Sequence, residues 1–226
     1  MTENKKKIIE LLILSFMTAV TYLLWNTVVI YPVKLLVVIL HEISHGIAAV
    51  LSGGYIVEIA INERLGGHCI SSGGNQMFIA SAGYLGSLLW GSALFVSGYN
   101  KKWNLGFSIF LGSVLIFITA NYMENIFAGM IISLFGLYFI IAPRYLPGML
   151  HGYITKFLGI TSAFYVAIDI GQDLVVNTYL GSDASLLSSL SGVPSVIWGI
   201  IWLLISIVVI LKLFQYGIRK GYSKNL

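Results

Sequence analysis

Seven apolar runs, most of them close to 20 residues long, restrict this chain more than anything else in it. They extend from Ile8 to about Ile30, Val33 to Leu51, Met77 to Val96, Leu105 to Thr119, Ile126 to Ile141, Tyr153 to Val176 and Val193 to Phe214. A helix rises about 1.5 Å per residue, so a run of about 20 residues spans a hydrocarbon core of roughly 30 Å. Within that core only a helix or a closed barrel satisfies its own backbone. Hydrophobic residues make up 58% of the 226 and charged residues 10%, against about 25% charged in a soluble domain. The sequence therefore excludes an ordinary soluble domain. It predicts an all-α polytopic membrane protein of about six or seven transmembrane helices. No polar linker divides it, so residues 1–226 read as one domain.

The net charge of +4 comes mostly from Lys5, Lys6 and Lys7 and from Arg219, Lys220 and Lys224. Basic flanks of this kind suit the anionic headgroups of a lipid bilayer and give no reason to expect nucleic acid. Each flank argues for a cytoplasmic end, which seven crossings cannot satisfy. The fourth and fifth runs are the shortest and are the ones expected not to cross fully. The run after Lys7 is too long for a signal peptide and reads as a retained span. A multi-pass protein of the cell (plasma) membrane is the expectation. A single cysteine, Cys69, excludes an internal disulfide and a four-cysteine zinc site.

Inside the second run stands His41-Glu42-Ile43-Ser44-His45, an H-E-x-x-H. At 3.6 residues per turn, positions four apart stack on one helix face, so the two imidazoles can grip one metal ion, most plausibly zinc. Glu42 is placed to act as general base on a water at that metal. A histidine in an apolar helix is often a core residue, but three such residues in five positions at membrane depth are costly without a task.

After Ser52-Gly53-Gly54 the pattern changes to a period of two. Tyr55, Val57, Ile59 and Ile61 alternate with Ile56, Glu58, Ala60 and Asn62. Turn chemistry follows at Asn62 to Gly67, and His68 to Ser72 reads as a return strand, so a small β-hairpin is expected after the H-E-x-x-H helix. Such a hairpin is either a connector or an edge that holds an unwound substrate by strand addition. Gly83, Ser87 and Gly91 form a small-residue stripe that reads as helix packing.

A catalytic zinc takes three protein ligands and keeps an open position. Asp169 and Asp173, four apart in the sixth run, are two of only three aspartates in the chain. Asp169 lies at a depth comparable to His41 and is the preferred third ligand, with Asp173 the alternative; the other would orient an imidazole. Gly181-Ser182-Asp183-Ala184-Ser185 reads as a loop, as does Ala142 to Gly148. His68 and His151 read as structural or solvated, and Cys69 as an apolar filler. Two other readings stay open, a membrane transporter for metal and a catalytically inactive scaffold. A di-iron hydroxylase needs about eight histidines, and the chain has four.

These residues resemble the site-2-protease family of intramembrane zinc metallopeptidases, most closely its B-type, small membrane branch. The resemblance rests on Leu40 to Gly46, on the Gly53-Gly54 segment, and on Ala82-Gly83-Tyr84-Leu85-Gly86-Ser87, which looks like the family's helix start. It continues through Tyr165 to Asp173, Ser182-Asp183-Ala184 and Pro194 to Trp202. What it implies is a zinc held by His41, His45 and an aspartate of the late span. It further implies Glu42 activating water, and membrane-embedded or membrane-proximal proteins or peptides as substrates. No regulatory PDZ insertion is present.

Overall fold

The chain is described by a computed structural model covering residues 1–175 and 182–222, with side chains outside the description from 172 to 175. Helix α1 (Glu3–Leu24) stops six residues before the expected Ile30. Residues 25–30 instead fold into consecutive turns. Trp25 N–H donates to Tyr22 O, Thr27 N–H to Leu24 O and Tyr31 N–H to Val28 O. The ammonium of Lys34 donates to Trp25 O at 3.3 Å. Hydrophobicity is blind to a break whose polar groups bond internally. Helix α2 (Tyr31–Leu51) follows, with Pro32 in its first turn, where a missing N–H costs nothing.

The expected hairpin is present as β1 (Tyr55–Ile61) and β2 (Gly67–Ser72), antiparallel, pairing Tyr55 with Ser72 and Ile61 with Gly67. Its turn is closed by the Asn62 side chain, which accepts from Arg64 N–H and Gly66 N–H. A bulge interrupts the register between Ile56 and Glu58. The outer edge of β1 is taken by the segment after the fourth helix: Met123 bridges Ile59, and Glu124 N–H donates to Ile59 O at 3.2 Å.

The remaining helices are α3 (Gln76–Ser97), α4 (Lys101–Tyr122), α5 (Ile126–Tyr145), α6 (Gly148–Val175), α7 (Asp183–Ser191) and α8 (Ser195–Lys220). Asn75, Asn100 and Asn125 cap α3, α4 and α5, each side-chain oxygen accepting from the first turn. The Asn100 cap starts α4 a turn before the apolar run. Helix α5 continues through Pro143 to Tyr145, where a loop was expected. Both helices, at 22 and 20 residues, are therefore long enough to span, contrary to the sequence-based expectation. Among the described residues seven helices, all but α7, are long and apolar enough to cross a membrane.

Helix α2 runs through the centre, with Leu35 to Leu40 and Ile43 buried. Helices α3 and α6 pack with little between them. A Cβ on Gly91 would stand 2.8 Å from Gly159 O, and Ser162 Oγ donates to Ser87 O. Two of the three stripe residues, Ser87 and Gly91, thus serve packing as expected; Gly83 serves something else. Near the start of α1 a buried ion pair joins helices far apart in sequence. Lys156 Nζ lies 2.9 Å from Glu10 Oε1, above the Tyr99 ring, and Tyr99 O–H donates to the same oxygen. His151 is buried, bonded to Ser108 and Tyr138 through its two ring nitrogens, which is a structural role.

Candidate metal centre

The middle of α2 places His41 and His45 on one face, with ring centroids 4.8 Å apart. The acid that meets them comes from α7. Ser182 caps that helix by accepting from Ser185 N–H, which sets Asp183 at its first position. Asp183 Oδ2 lies 3.1 Å from His41 Nε2, and Oδ1 lies 3.2 Å from His45 Nε2. One ligand atom from each residue can be chosen so that all lie within 4.8 Å of one another, a group able to hold a metal ion.

The hydrogen bonds around this group bear on what it holds. His45 Nδ1 is 2.7 Å from Ile79 O, an acceptor, so the ring proton belongs on Nδ1 and Nε2 turns a lone pair toward Asp183. A lone pair and a carboxylate oxygen facing each other at 3.2 Å need positive charge between them. Asp183 Oδ2 is buried without a hydrogen-bond donor among the described residues. A Cβ on Gly83 would stand 2.5 Å from His45 Nε2 and 2.6 Å from Asp183 Oδ2, and closer still to His41 Nε2. The backbone of α3 therefore leaves open a space that touches all three donors, which fits a metal ion.

Glu42 is buried in the wall of the same cavity, a space of about 650 Å³ closed by the hairpin, α3, α6 and α7. A Cβ on Gly67 would overlap the Glu42 carboxylate, so the start of β2 lies directly against that side chain. Gly67→Ala is expected to displace the Glu42 side chain or the start of β2, lowering the midpoint of thermal unfolding in detergent. An unchanged midpoint would mean that the contact is not as tight as the geometry gives it.

Asp169, the preferred ligand from sequence, lines this same cavity, while the group of donors within 4.8 Å of one another is His41, His45 and Asp183. Asp169 Oδ2 accepts from Tyr84 O–H at 3.1 Å, and the Tyr84 ring stands edge-on to His41, centroids 5.0 Å apart. The Asp173 side chain lies outside the described residues. Sequence reasoning missed Asp183 because its segment reads as a loop after the apolar run. Two signals mark it. It is the chain's third aspartate, and Ser182-Asp183 is a helix-start pair. His68 lies beside Glu58 at 3.5 Å on the cavity wall. Cys69 is half-buried, its thiol pushed up to about 12 by burial and then by Glu42, so it stays protonated.

A family model described as peptidase M50B-like matches residues 13–213. The chain belongs to that family. This is the site-2-protease family that the sequence motifs resemble. No protein of curated function and no solved structure matches the chain at a significant level. Membership of the peptidase M50B-like family, with seven long apolar helices, makes the chain a multi-pass membrane protein of metallopeptidase type. The His/Asp group and Glu42 fall inside the matched residues.

Proposed function

We propose that this peptidase M50B-like protein is an intramembrane zinc metallopeptidase of the cell membrane, cutting membrane-embedded or membrane-proximal polypeptides. His41, His45 and Asp183 would hold the zinc, and Glu42 would be the general base. What supports this most directly is the convergence of three donors on one space beside Gly83, with Glu42 in the same cavity. Zinc bound there supplies a Lewis acid that activates water near neutral pH and polarises a carbonyl. Glu42 takes the proton from the attacking water and returns it to the leaving amine as the peptide C–N bond breaks. Ile79 O fixes the His45 tautomer, and the Tyr84 ring holds His41 from the side.

A helical substrate hides its carbonyls in its own hydrogen bonds and must unwind first. The outer edge of β1 is occupied by Met123 and Glu124, and among the described residues β2 pairs only with β1. Strand β2, beginning at Gly67 against Glu42, is the edge that would hold an unwound segment by backbone bonds.

The test is metal analysis of the purified protein together with cleavage of a single-span substrate in detergent or vesicles. The expected result is about one zinc per chain, with cleavage lost on chelation and regained on adding zinc. Zinc without cleavage of any single-span substrate would favour a transporter or scaffold.

A further inference from the structure

Contacts between helix ends determine which ends share a face of the bundle. Tyr222 N–H donates to Lys6 O at 3.0 Å, joining the chain just past α8 to the start of α1. The Lys156–Glu10 pair, with Tyr99, adds the start of α6 and the α3–α4 joint. His151, between Ser108 and Tyr138, adds the first turns of α4 and the last turns of α5. At the opposite end, Asn75 N–H donates to Ser52 Oγ at 2.9 Å, joining the end of α2 to the start of α3. Glu124 N–H on Ile59 O adds the α4–α5 junction and the hairpin there. Helices α3, α4, α5, α6 and α8 each run from one end to the other. Helices α1 and α2 together leave the first end and finish at the second.

We propose that α1 and α2 share one crossing, so that seven long helices cross the membrane six times and Lys6 and Tyr222 face the same side. The course of α1 accounts for the missing crossing. Glu10 meets Lys156 and Thr21 meets Thr161 at 3.0 Å. Eleven residues of α1, roughly 16 Å, thus pass over five residues of α6, roughly 8 Å. Helix α1 crosses α6 obliquely and gains little depth. Its end, Trp25, packs on Tyr165 with ring centroids 6.0 Å apart, four positions before Asp169. Asp169 in turn accepts from Tyr84, about 12 Å inside the start of α3. The joint between α1 and α2 therefore sits within the depth of the bundle. It exposes Val28 and Val29, at 84% and 67%, while turn bonds and Lys34 satisfy its backbone. That combination belongs in lipid.

Charge then sets the side. Lys5 to Lys7, Lys101, Lys102, Arg144, Arg219 and Lys220 all lie at the first end, while the Ser52–Asn75 and α4–α5 contacts of the second carry no lysine or arginine among the described residues. Arg64 lies in the hairpin turn, which folds back along α2 to Tyr31, whose hydroxyl donates to Glu63 O at 3.3 Å. The first end is cytoplasmic by the positive-inside rule. The cavity holding Glu42 is walled by the hairpin and α7, which belong to the other end. Substrates would accordingly be cut in the non-cytoplasmic half of the membrane, a statement that rests on the proposed proteolysis, whereas the six crossings do not.

Single cysteines in the full chain, in a Cys69→Ala background, test this with a membrane-impermeant maleimide. Lys5→Cys, Lys101→Cys and Lys220→Cys are expected to label only after cells are opened. Glu124→Cys, at the α4–α5 junction, should label in intact cells, and Val28→Cys under neither condition. Epitope tags at the two ends, probed with antibody in intact and opened cells, give the same reading for any variant that fails to accumulate. Ends on opposite faces, or free labelling of Val28→Cys from the side of Glu124→Cys, would overturn the shared crossing. Both ends labelled in intact cells would overturn the assigned side. None of these readouts uses activity, so an inactive protein would count against the peptidase reading and leave the topology standing.

Discussion

Glu42→Gln is expected to keep its zinc and to lose cleavage by roughly 10²–10⁴-fold, the usual worth of a positioned general base. Glutamine matches glutamate in shape, so the contact between this side chain and Gly67 survives, and so does the packing of β2 on α2. What disappears is the carboxylate that accepts a proton from water. The measurement pairs turnover of a single-span substrate with zinc content on the same preparation. A variant that cleaves at the parental rate would remove Glu42 from the role. A variant that also loses its zinc would mean that Glu42 belongs to the metal's own donor set, leaving the base unassigned.

Asp183→Ala is expected to empty the site, whereas Asp169→Asn keeps it filled. Truncating Asp183 leaves two imidazoles where a catalytic zinc takes three protein donors. It also removes the carboxylate that meets the two imidazoles at the open space beside Gly83. Asp169→Asn preserves the size of the side chain and an acceptor for Tyr84 O–H. It should weaken zinc binding by about 10–100-fold at most, the range for partners that orient a ligand. Zinc retained after dialysis against a graded chelator separates the two, and thermal unfolding in detergent shows that both variants remain folded. An empty site in Asp169→Asn beside a full one in Asp183→Ala would return the third position to α6.

Much of the architecture is legible in the sequence because apolar length and period are what a bilayer selects. The hairpin stood out for the same kind of reason, a period of two between glycines. The misses share a cause. The end of α1 at Leu24, the helical course of Pro143 to Tyr145 and the helix beginning at Asp183 all depend on a few hydrogen bonds. Hydropathy averages over such details. The imidazole pair and Glu42 could be found because they fall within five consecutive positions of a single helix. Asp183 is well over a hundred residues away, and its meeting with His41 is decided by how α7 folds back onto α2 and α3. Depth along a span pointed to Asp169, which lines the cavity and accepts from Tyr84 O–H.

The bond from Glu124 to Ile59 has one more consequence. A two-stranded ribbon offers two open margins, and either can recruit a stray chain into a growing aggregate. Here one margin is stoppered from within the same molecule, and the other begins beside Glu42. Copies of this protein crowded in a bilayer thus cannot zip together ribbon to ribbon through β1.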